Sequence, residues 1–249
     1  MSAEYSKDPM IYGKLYNLCG VRFLGTGLTA ALNHQHWFQQ RRMIEPAFKR
    51  TYLMGLMGIF DDQAEELMKV LAEKADGETK VDVMNLLRRV TLDIIAKAAF
   101  GLELKTLHDD QTPFPHAVNM VNEGLSNSRV PLFEYLPWNR KLVREIQESV
   151  RLLRHTGKEC IEQRRKAIQK GEEVPVDILT QILKVEGRRC LLEGSTISCV
   201  SHFTCILGSR KGHCAGFWPL ASSTCAPKQF IRVPSYHAAF DRIGFSLAS

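Results

Sequence analysis

Apolar residues recur at three- and four-residue intervals through most of the chain before Gly187, and this spacing predicts amphipathic helices. The predicted helices cover about 34–49, 51–76, 81–101, 115–128, 140–170 and 178–184. Residues 1–30 are punctuated by proline and glycine, which predicts a loop-rich segment. The pattern therefore predicts a mainly α-helical protein.

Several residues indicate where these helices begin and end. Gly101 and Gly171 follow helical patterns and predict left-handed C-terminal caps. Asn139 is predicted to cap the helix over 140–170, whose thin apolar stripe suits a helix lying across a surface with one edge buried. Asp93 lies among apolar positions, so it is either at the polar edge of its helix or paired with a base.

The pattern changes after Gly187. Residues 188–249 have no sustained helical or strand period, and short apolar patches lie between turn-forming residues. Five of the seven cysteines fall here at spacings that match no common zinc pattern, so free thiols are expected. We therefore predict a helical domain over 1–187 and a divergent, poorly folded tail over 188–249, because local signals agree only in the first.

Charge and hydropathy exclude several classes of protein. The net charge of +6 is concentrated in the tail, where seven Lys and Arg residues oppose two acids. These bases are too sparse, and too little interleaved with aromatic residues, for a nucleic-acid groove. The sequence contains no run of about 18 apolar residues, so it predicts no transmembrane helix. Its N-terminus is polar, so it predicts no signal peptide.

Trp37 and Arg41 are the first candidate binding residues. Four residues apart on a predicted helix, they share one face one turn apart. An indole N–H beside a guanidinium makes a donor surface suited to a carboxylate. The alternative is structural, with Trp37 anchoring the core and Arg41 paired with a nearby acid.

A second candidate is the apolar, aromatic loop over 130–138, which prolines bracket. One interpretation is that this loop folds over the core. The other is that it dips into a membrane surface, with its aromatic side chains at the level of the lipid headgroups.

Several strings resemble the cytochrome P450 superfamily. Trp37-xxx-Arg41 is similar to part of the third long helix of that family, and residues 93–101 are similar to part of its fifth helix. Residues 72–77 and 171–184 also resemble family sequences. Together with residues 5–8 and 25–28, they are similar to the branch that hydroxylates the cholesterol side chain. The resemblance covers about residues 5–186 and implies a partial cytochrome P450 fold, made of the front and middle helices.

What the resemblance implies for function is a haem-thiolate monooxygenase. Haem b, held by a Cys thiolate, would activate O2 to hydroxylate a sterol, with electrons from a membrane-bound P450 reductase at the endoplasmic reticulum. The implied site residues are Trp37 and Arg41 for a haem propionate, and Tyr12, Leu15 and Leu125 for the substrate pocket. The loop over 130–138 resembles the segment that contacts the membrane and guards substrate entry.

The sequence departs from the family pattern where catalysis would occur. No Phe-xx-Gly-x-Arg-x-Cys-x-Gly string is present, nor the acid–Thr pair of the central helix. The closest string has two extra residues between Arg210 and Cys214 and has Cys205 in place of the Phe, so Cys214 is not expected to bind iron.

The functional expectations follow from these departures. We expect no catalytic residue, no metal site and no stable haem binding, so that this chain alone is inactive. Without an amino-terminal anchor, it would be cytoplasmic or peripheral on the membrane. The alternative is a non-catalytic helical protein that binds sterol, membrane or a partner through exposed apolar faces.

Overall fold

A computed structural model describes residues 8–76 and 80–187 of the chain. Of these residues 71% are helical and 2% lie in strands, which confirms the mainly α-helical prediction. The elements are α1 (Pro9–Tyr16), β1 (Asn17–Leu18), β2 (Val21–Arg22), α2 (His34–Ile44), α3 (Arg50–Gly55), α4 (Met57–Glu73), α5 (Val83–Phe100), α6 (Pro113–Asn127), α7 (Arg140–Lys170) and α8 (Ile178–Gly187). Within the described ranges, 3₁₀ turns occur at Glu45–Phe48, Phe133–Tyr135 and Pro137–Asn139. The tail predicted over 188–249 lies outside the described residues.

The first described segment is more regular than the predicted loop. Asp8 caps α1 by accepting a hydrogen bond from the backbone N–H of Met10 at 2.8 Å, and Pro9 occupies the first turn, where its missing N–H is not needed. A hairpin follows in which β1 and β2 pair antiparallel. Its two turn residues, Cys19 and Gly20, both have positive φ (49° and 74°), as a tight two-residue hairpin turn requires.

Two predicted helices are shorter than expected. The helix predicted over 34–49 ends at Ile44 and continues as a 3₁₀ turn, because Pro46 has no N–H to donate to the helical ladder. The helix predicted over 51–76 is divided at Leu56 into α3 and α4. Gly55 and Gly58 flank the division, and glycine is a poor helix former.

Two of the three predicted caps are confirmed. Gly101 and Gly171 are left-handed, with φ of 68° and 71°, and end α5 and α7. Asn139 precedes α7, but its side chain makes no capping hydrogen bond. Its side-chain amide instead donates to the carbonyl of Phe133 at 3.0 Å, which ties the two turns of the 130–138 loop together.

The core of the described residues comprises three clusters of buried apolar side chains. The first cluster contains Leu28, Ile44, Ala47, Leu56, Ala98, Ala99, Ile178 and Ile182. The second cluster contains Leu18, Cys19, Phe23, Leu24, Ala30, Val121, Phe133, Ile146 and Val150. The third cluster contains Cys160, Ile161, Leu179 and Leu183. The thin stripe of α7 is buried as expected, with Ile146 and Val150 fully inaccessible to solvent.

Polar contacts also hold the hairpin against α7. The side-chain amide of Gln147 donates to the carbonyl of Cys19 at 2.9 Å, and the guanidinium of Arg154 donates to the carbonyl of Phe23 at 2.7 Å. Both carbonyls lie in or just after the hairpin, so these contacts satisfy backbone groups that lack a strand partner. Within residues 8–76 and 80–187, no helix is both long and apolar enough to cross a bilayer.

Candidate functional site

Helix α2 presents the candidate anion-binding residues. Asn33 caps it, with a side chain that accepts a hydrogen bond from the backbone N–H of His36 at 3.0 Å. From this fixed start, His34, Trp37 and Arg41 are spaced three and four residues apart, so they follow one another along one face of the helix. No acidic residue lies in the first turn of α2.

Trp37 is half-buried and packs against the first cluster. The structural interpretation of this residue is therefore correct as far as packing goes. Its indole N–H, however, has no hydrogen-bond partner in the part of the chain that the structure describes. Burial of the ring fixes the indole in place, and the N–H remains available to an acceptor.

Arg41 has no acidic partner among the described residues, so that part of the structural alternative is not realised there. The side chain is half-buried, and within 8–76 and 80–187 it makes neither an ion pair nor a hydrogen bond. A partly desolvated guanidinium without a counter-charge favours an anion, and its geometry suits a carboxylate. The neighbouring Arg42 lies over the Phe38 ring, 5.7 Å from its centroid.

Gln40, three residues after Trp37, lies on the buried side of α2, and sequence reasoning missed it. It is 1% exposed. Its amide nitrogen donates to the carbonyl of Thr26 at 3.0 Å and lies 2.7 Å from Nε2 of His36. The sequence could have indicated Gln40 by its spacing, which places it on the same buried stripe as Met43, Ile44 and Ala47. A polar residue on a buried stripe requires a hydrogen-bond partner.

The three predicted substrate-lining residues belong to another part of the fold. Leu15 and Leu125 both pack against the second cluster, so α1 and α6 place them on the same part of the core. Tyr12 is half-buried one turn before Leu15 on α1. None of the three packs against the first cluster, on which Trp37 lies. Their role in a substrate pocket stays a prediction.

The 130–138 loop is folded onto the core at one residue and exposed at others, and its contact with a membrane stays a prediction. Phe133 is buried in the second cluster, so the loop does fold onto the core at that point. Leu132, Tyr135 and Trp138 are 69%, 80% and 76% exposed. The loop is therefore anchored by one aromatic ring and presents its other large apolar side chains to the surroundings.

The two described cysteines are poorly suited to bind iron. Cys19 and Cys160 lie in the second and third clusters. Burial, with a smaller contribution from Glu134, raises the pKa of the Cys19 thiol to about 11. Burial, reinforced by Glu159, also raises the pKa of Cys160. Since the thiolate is the metal ligand, iron would have to displace a proton from a buried thiol, and the raised pKa values oppose that. Cys214 lies outside the described residues.

A polar cleft of about 340 Å³ lies between α4, α5 and the loop that follows α5. Asp93, which lines it, is not at a polar edge, and it has no basic partner within residues 8–76 and 80–187. It is 5% exposed and accepts the backbone N–H of Thr106 at 3.1 Å, so it holds the loop onto α5. Glu66 lies beside Lys69 and His108, whose hydrogen bonds lower the pKa of its carboxyl. None of the predicted site residues lines this cleft.

No cluster of three or more metal-ligating side chains occurs among residues 8–76 and 80–187. The Trp37–Arg41 face is therefore the best-defined binding feature there. It offers hydrogen-bond donors and positive charge to a carboxylate.

Comparisons with known proteins identify the family. The family model for cytochrome P450 matches residues 3–196. The chain is 28% identical over 207 residues to cytochrome P450 4d8 of Drosophila melanogaster, covering 78% of this chain and 42% of that protein. It is 29% identical over 178 residues to echinocystic acid 23-monooxygenase of Saponaria officinalis, covering 69% and 33% respectively.

The relatives that it matches are longer than the chain, which spans about two-fifths of their length or less. The family model begins before α1 and extends beyond α8, so it includes every described helix. The described helices thus form a partial cytochrome P450 fold, and the chain belongs to the cytochrome P450 family.

Proposed function

We propose that the chain carries the front and middle helices of a haem-thiolate monooxygenase that hydroxylates the side chain of cholesterol, as cholesterol 24-hydroxylase does. The observation that carries the proposal is the half-buried guanidinium of Arg41, unpaired within the described ranges and one turn from the indole of Trp37. The strings over 72–77 and 171–184 supply the narrower resemblance to the sterol branch.

The donors of α2 fit one propionate group of haem. Arg41 would donate two parallel hydrogen bonds to the carboxylate, and Trp37 would donate one. Each hydrogen bond to a charged group contributes about 1.5–3 kcal/mol. When bound, the haem supplies the oxygen activation needed for hydroxylation. The task of these two residues is to hold and orient its polar edge.

The apolar packing of α1 and α6 suits the binding of an apolar substrate. In the proposal, Tyr12, Leu15 and Leu125 line the space that receives the sterol, whose ring system and side chain are apolar. Leu15 and Leu125 already share the second cluster. Family members work with reductases that supply electrons, and we infer a membrane-bound P450 reductase at the endoplasmic reticulum as the partner.

We further propose that these 249 residues do not catalyse the reaction by themselves. Two observations support this: Cys19 and Cys160 are buried thiols with raised pKa values, and the string ending at Cys214 departs from the haem-ligand pattern. A propionate contact alone is too weak to replace an iron–thiolate bond.

The spectrum of the haem-supplemented chain tests this proposal. After reduction with dithionite and addition of CO, we expect no thiolate-type Soret band, because Cys19 and Cys160 are buried in the core and the string ending at Cys214 departs from the haem-ligand pattern. The matched control is Cys214→Ala, whose spectrum should be the same as that of the unmodified chain. A thiolate-type band that disappears in Cys214→Ala would overturn the proposed inactivity and leave the family assignment intact.

The exposed side chains of the 130–138 loop support a second, non-catalytic candidate function, binding to a membrane surface, sterol or partner protein through exposed apolar faces. Leu132, Tyr135 and Trp138 are joined by exposed basic residues on both flanks, Arg129 and Arg140. Apolar and aromatic side chains flanked by two bases match the composition of a membrane interface, although the exposed Glu134 lies among them. The proposed location is peripheral on the endoplasmic reticulum membrane.

Sedimentation with phosphatidylcholine vesicles tests the membrane contact. Replacing Leu132 and Trp138 together with alanine should weaken partitioning about tenfold or more, since each buried large apolar side chain contributes about 1.5–3 kcal/mol. Met84→Ala is the control, because Met84 is 57% exposed on a different helix. Equal losses in both variants, or no loss in either, would contradict a contact through this loop.

A further inference from the structure

His34 extends the face of α2 that carries Trp37 and Arg41. Its ring centroid lies 5.7 Å from that of Trp37, with the planes tilted by 32°. It also stacks on Phe38, at 6.4 Å and 18°. The imidazole is therefore held against two aromatic rings, although the residue is exposed.

The nitrogen atoms of the His34 ring have no hydrogen bond or ion pair in the part of the chain that the structure describes. His36, two residues further along, contrasts with it, because Nε2 of His36 lies 2.7 Å from the amide nitrogen of Gln40. An imidazole carries at least one N–H donor in either protonation state. His34 thus has a ring in contact with two aromatic side chains and a donor with no partner among the described residues.

Helix geometry brings this donor near the other two. Side chains on a helix lean toward its N-terminus, so Arg41 leans over the turn of Trp37, and Trp37 leans over the turn of His34. At 1.5 Å per residue, the Cα atoms of His34 and Arg41 are about 10 Å apart along the axis. One face therefore presents an imidazole, an indole and a guanidinium in succession.

We propose that His34 is a third carboxylate-binding residue of this face, and that the three donors together bind both carboxylates of a porphyrin dicarboxylate. Arg41 and Trp37 take one carboxylate, and the N–H of His34 donates to the other. This inference rests on the proposed function, since it assumes that the ligand of α2 is the haem macrocycle.

The alternative role of His34 is packing alone, in which the imidazole supports Trp37 and Phe38 without contacting a ligand. Two variants separate these roles. His34→Phe keeps an aromatic ring on the stack and removes the N–H. His34→Gln removes the ring and keeps an N–H donor.

The experiment uses an iron-free porphyrin, because its binding does not depend on an iron ligand. The full chain is titrated with protoporphyrin IX and, in the same detergent, with protoporphyrin IX dimethyl ester, which lacks the carboxylate charges. Absorbance of the porphyrin reports both affinities. The ratio of the two affinities measures carboxylate recognition, and a general loss of folding or packing would lower both.

We expect Arg41→Gln to lower the ratio about tenfold or more and His34→Phe to lower it about threefold to tenfold. His34→Gln should retain most of the ratio. Gln35→Ala, an exposed neighbour one residue along the helix, should leave it unchanged. A His34→Phe variant with an unaltered ratio would overturn the role of His34 while leaving that of Arg41 intact. If Arg41→Gln also leaves the ratio unaltered, both the inference and the proposed propionate site fail.

Discussion

Replacing Asp177 with alanine is expected to lower the free energy of unfolding by about 3–5 kcal/mol, which is a large share of the stability of a typical domain. Asp177 is 2% exposed, and its partner Arg164 has a side chain that is only 11% exposed. Their closest atoms, Oδ2 and Nη1, are 2.6 Å apart. Without Asp177, a charged guanidinium would remain buried with no opposite charge beside it.

The effect is large because this ion pair joins three helices. Arg164 of α7 also donates to the carbonyl of Phe100, at the end of α5, at 3.1 Å and to the hydroxyl of Thr180 in α8. The second oxygen of Asp177 accepts the backbone N–H of Thr180 at 2.7 Å and so caps α8. The variant therefore loses the cap and the ion pair together.

Urea denaturation followed by circular dichroism measures this change. The control is Glu162→Ala, which removes an exposed ion pair with Lys158 at 3.6 Å and should cost no more than about 1 kcal/mol. Arg164→Met combined with Asp177→Leu should recover part of the loss, since it removes both buried charges. An Asp177→Ala variant that is as stable as Glu162→Ala would show that solvent compensates the buried arginine.

The helices were predictable where a continuous apolar stripe is followed by a residue that favours a helix end. The end of α5 at Gly101 and that of α7 at Gly171 were expected because only glycine adopts positive φ at little cost. The hairpin at Cys19 was not, since a cysteine gives no turn signal and adopts positive φ there only because the hairpin imposes it. The division between α3 and α4 at Leu56 was not predicted, because the apolar residues keep their helical spacing across it.

Tertiary contacts account for the other differences. Asp93 looked like an edge residue or half of an ion pair, yet it accepts the backbone N–H of Thr106, thirteen residues further along. Such a contact depends on how a loop folds back, which a local pattern does not encode. Asn139 was expected to cap α7, but the carbonyl of Phe133 competes for its side chain.

In the candidate site, too, some features were predictable from local sequence and others depend on tertiary contacts. The proximity of Trp37 and Arg41 follows from helical spacing alone. Whether an acid meets Arg41 depends on all the helices around it, and among the described residues none does. His34 was not selected because sequence spacing by itself does not distinguish a stacked imidazole from an exposed one.

The second large effect concerns the contact between α6 and α7. Ile146→Ala should lower the free energy of unfolding by about 2–5 kcal/mol, because Ile146 is fully buried in the second cluster and its loss leaves a cavity. Gly124 lies opposite it on α6. A Cβ atom added at Gly124 would lie 2.8 Å from Cγ2 of Ile146 and 3.2 Å from Cδ2 of Leu18, closer than atoms pack.

The effect of Gly124→Ala on the free energy of unfolding should therefore change sign with the residue at position 146. With Ile146 present, overpacking of about 1–3 kcal/mol exceeds the helical preference for alanine over glycine of about 1 kcal/mol, so the variant is destabilised. With Ile146→Ala, the added methyl group enters the vacated space, and the same substitution should be neutral or stabilising.

Urea denaturation of the four combinations at these two positions measures the coupling, which should be about 1–3 kcal/mol. Ile161→Ala provides the matched background, because Ile161 is 3% exposed in the third cluster and is not among the atoms that a Cβ at Gly124 would meet. There Gly124→Ala should cost as much as it does in the unmodified chain. Equal costs in all three backgrounds would mean that glycine is not required for the approach of Ile146, and that α6 accommodates the added methyl group by shifting away from α7.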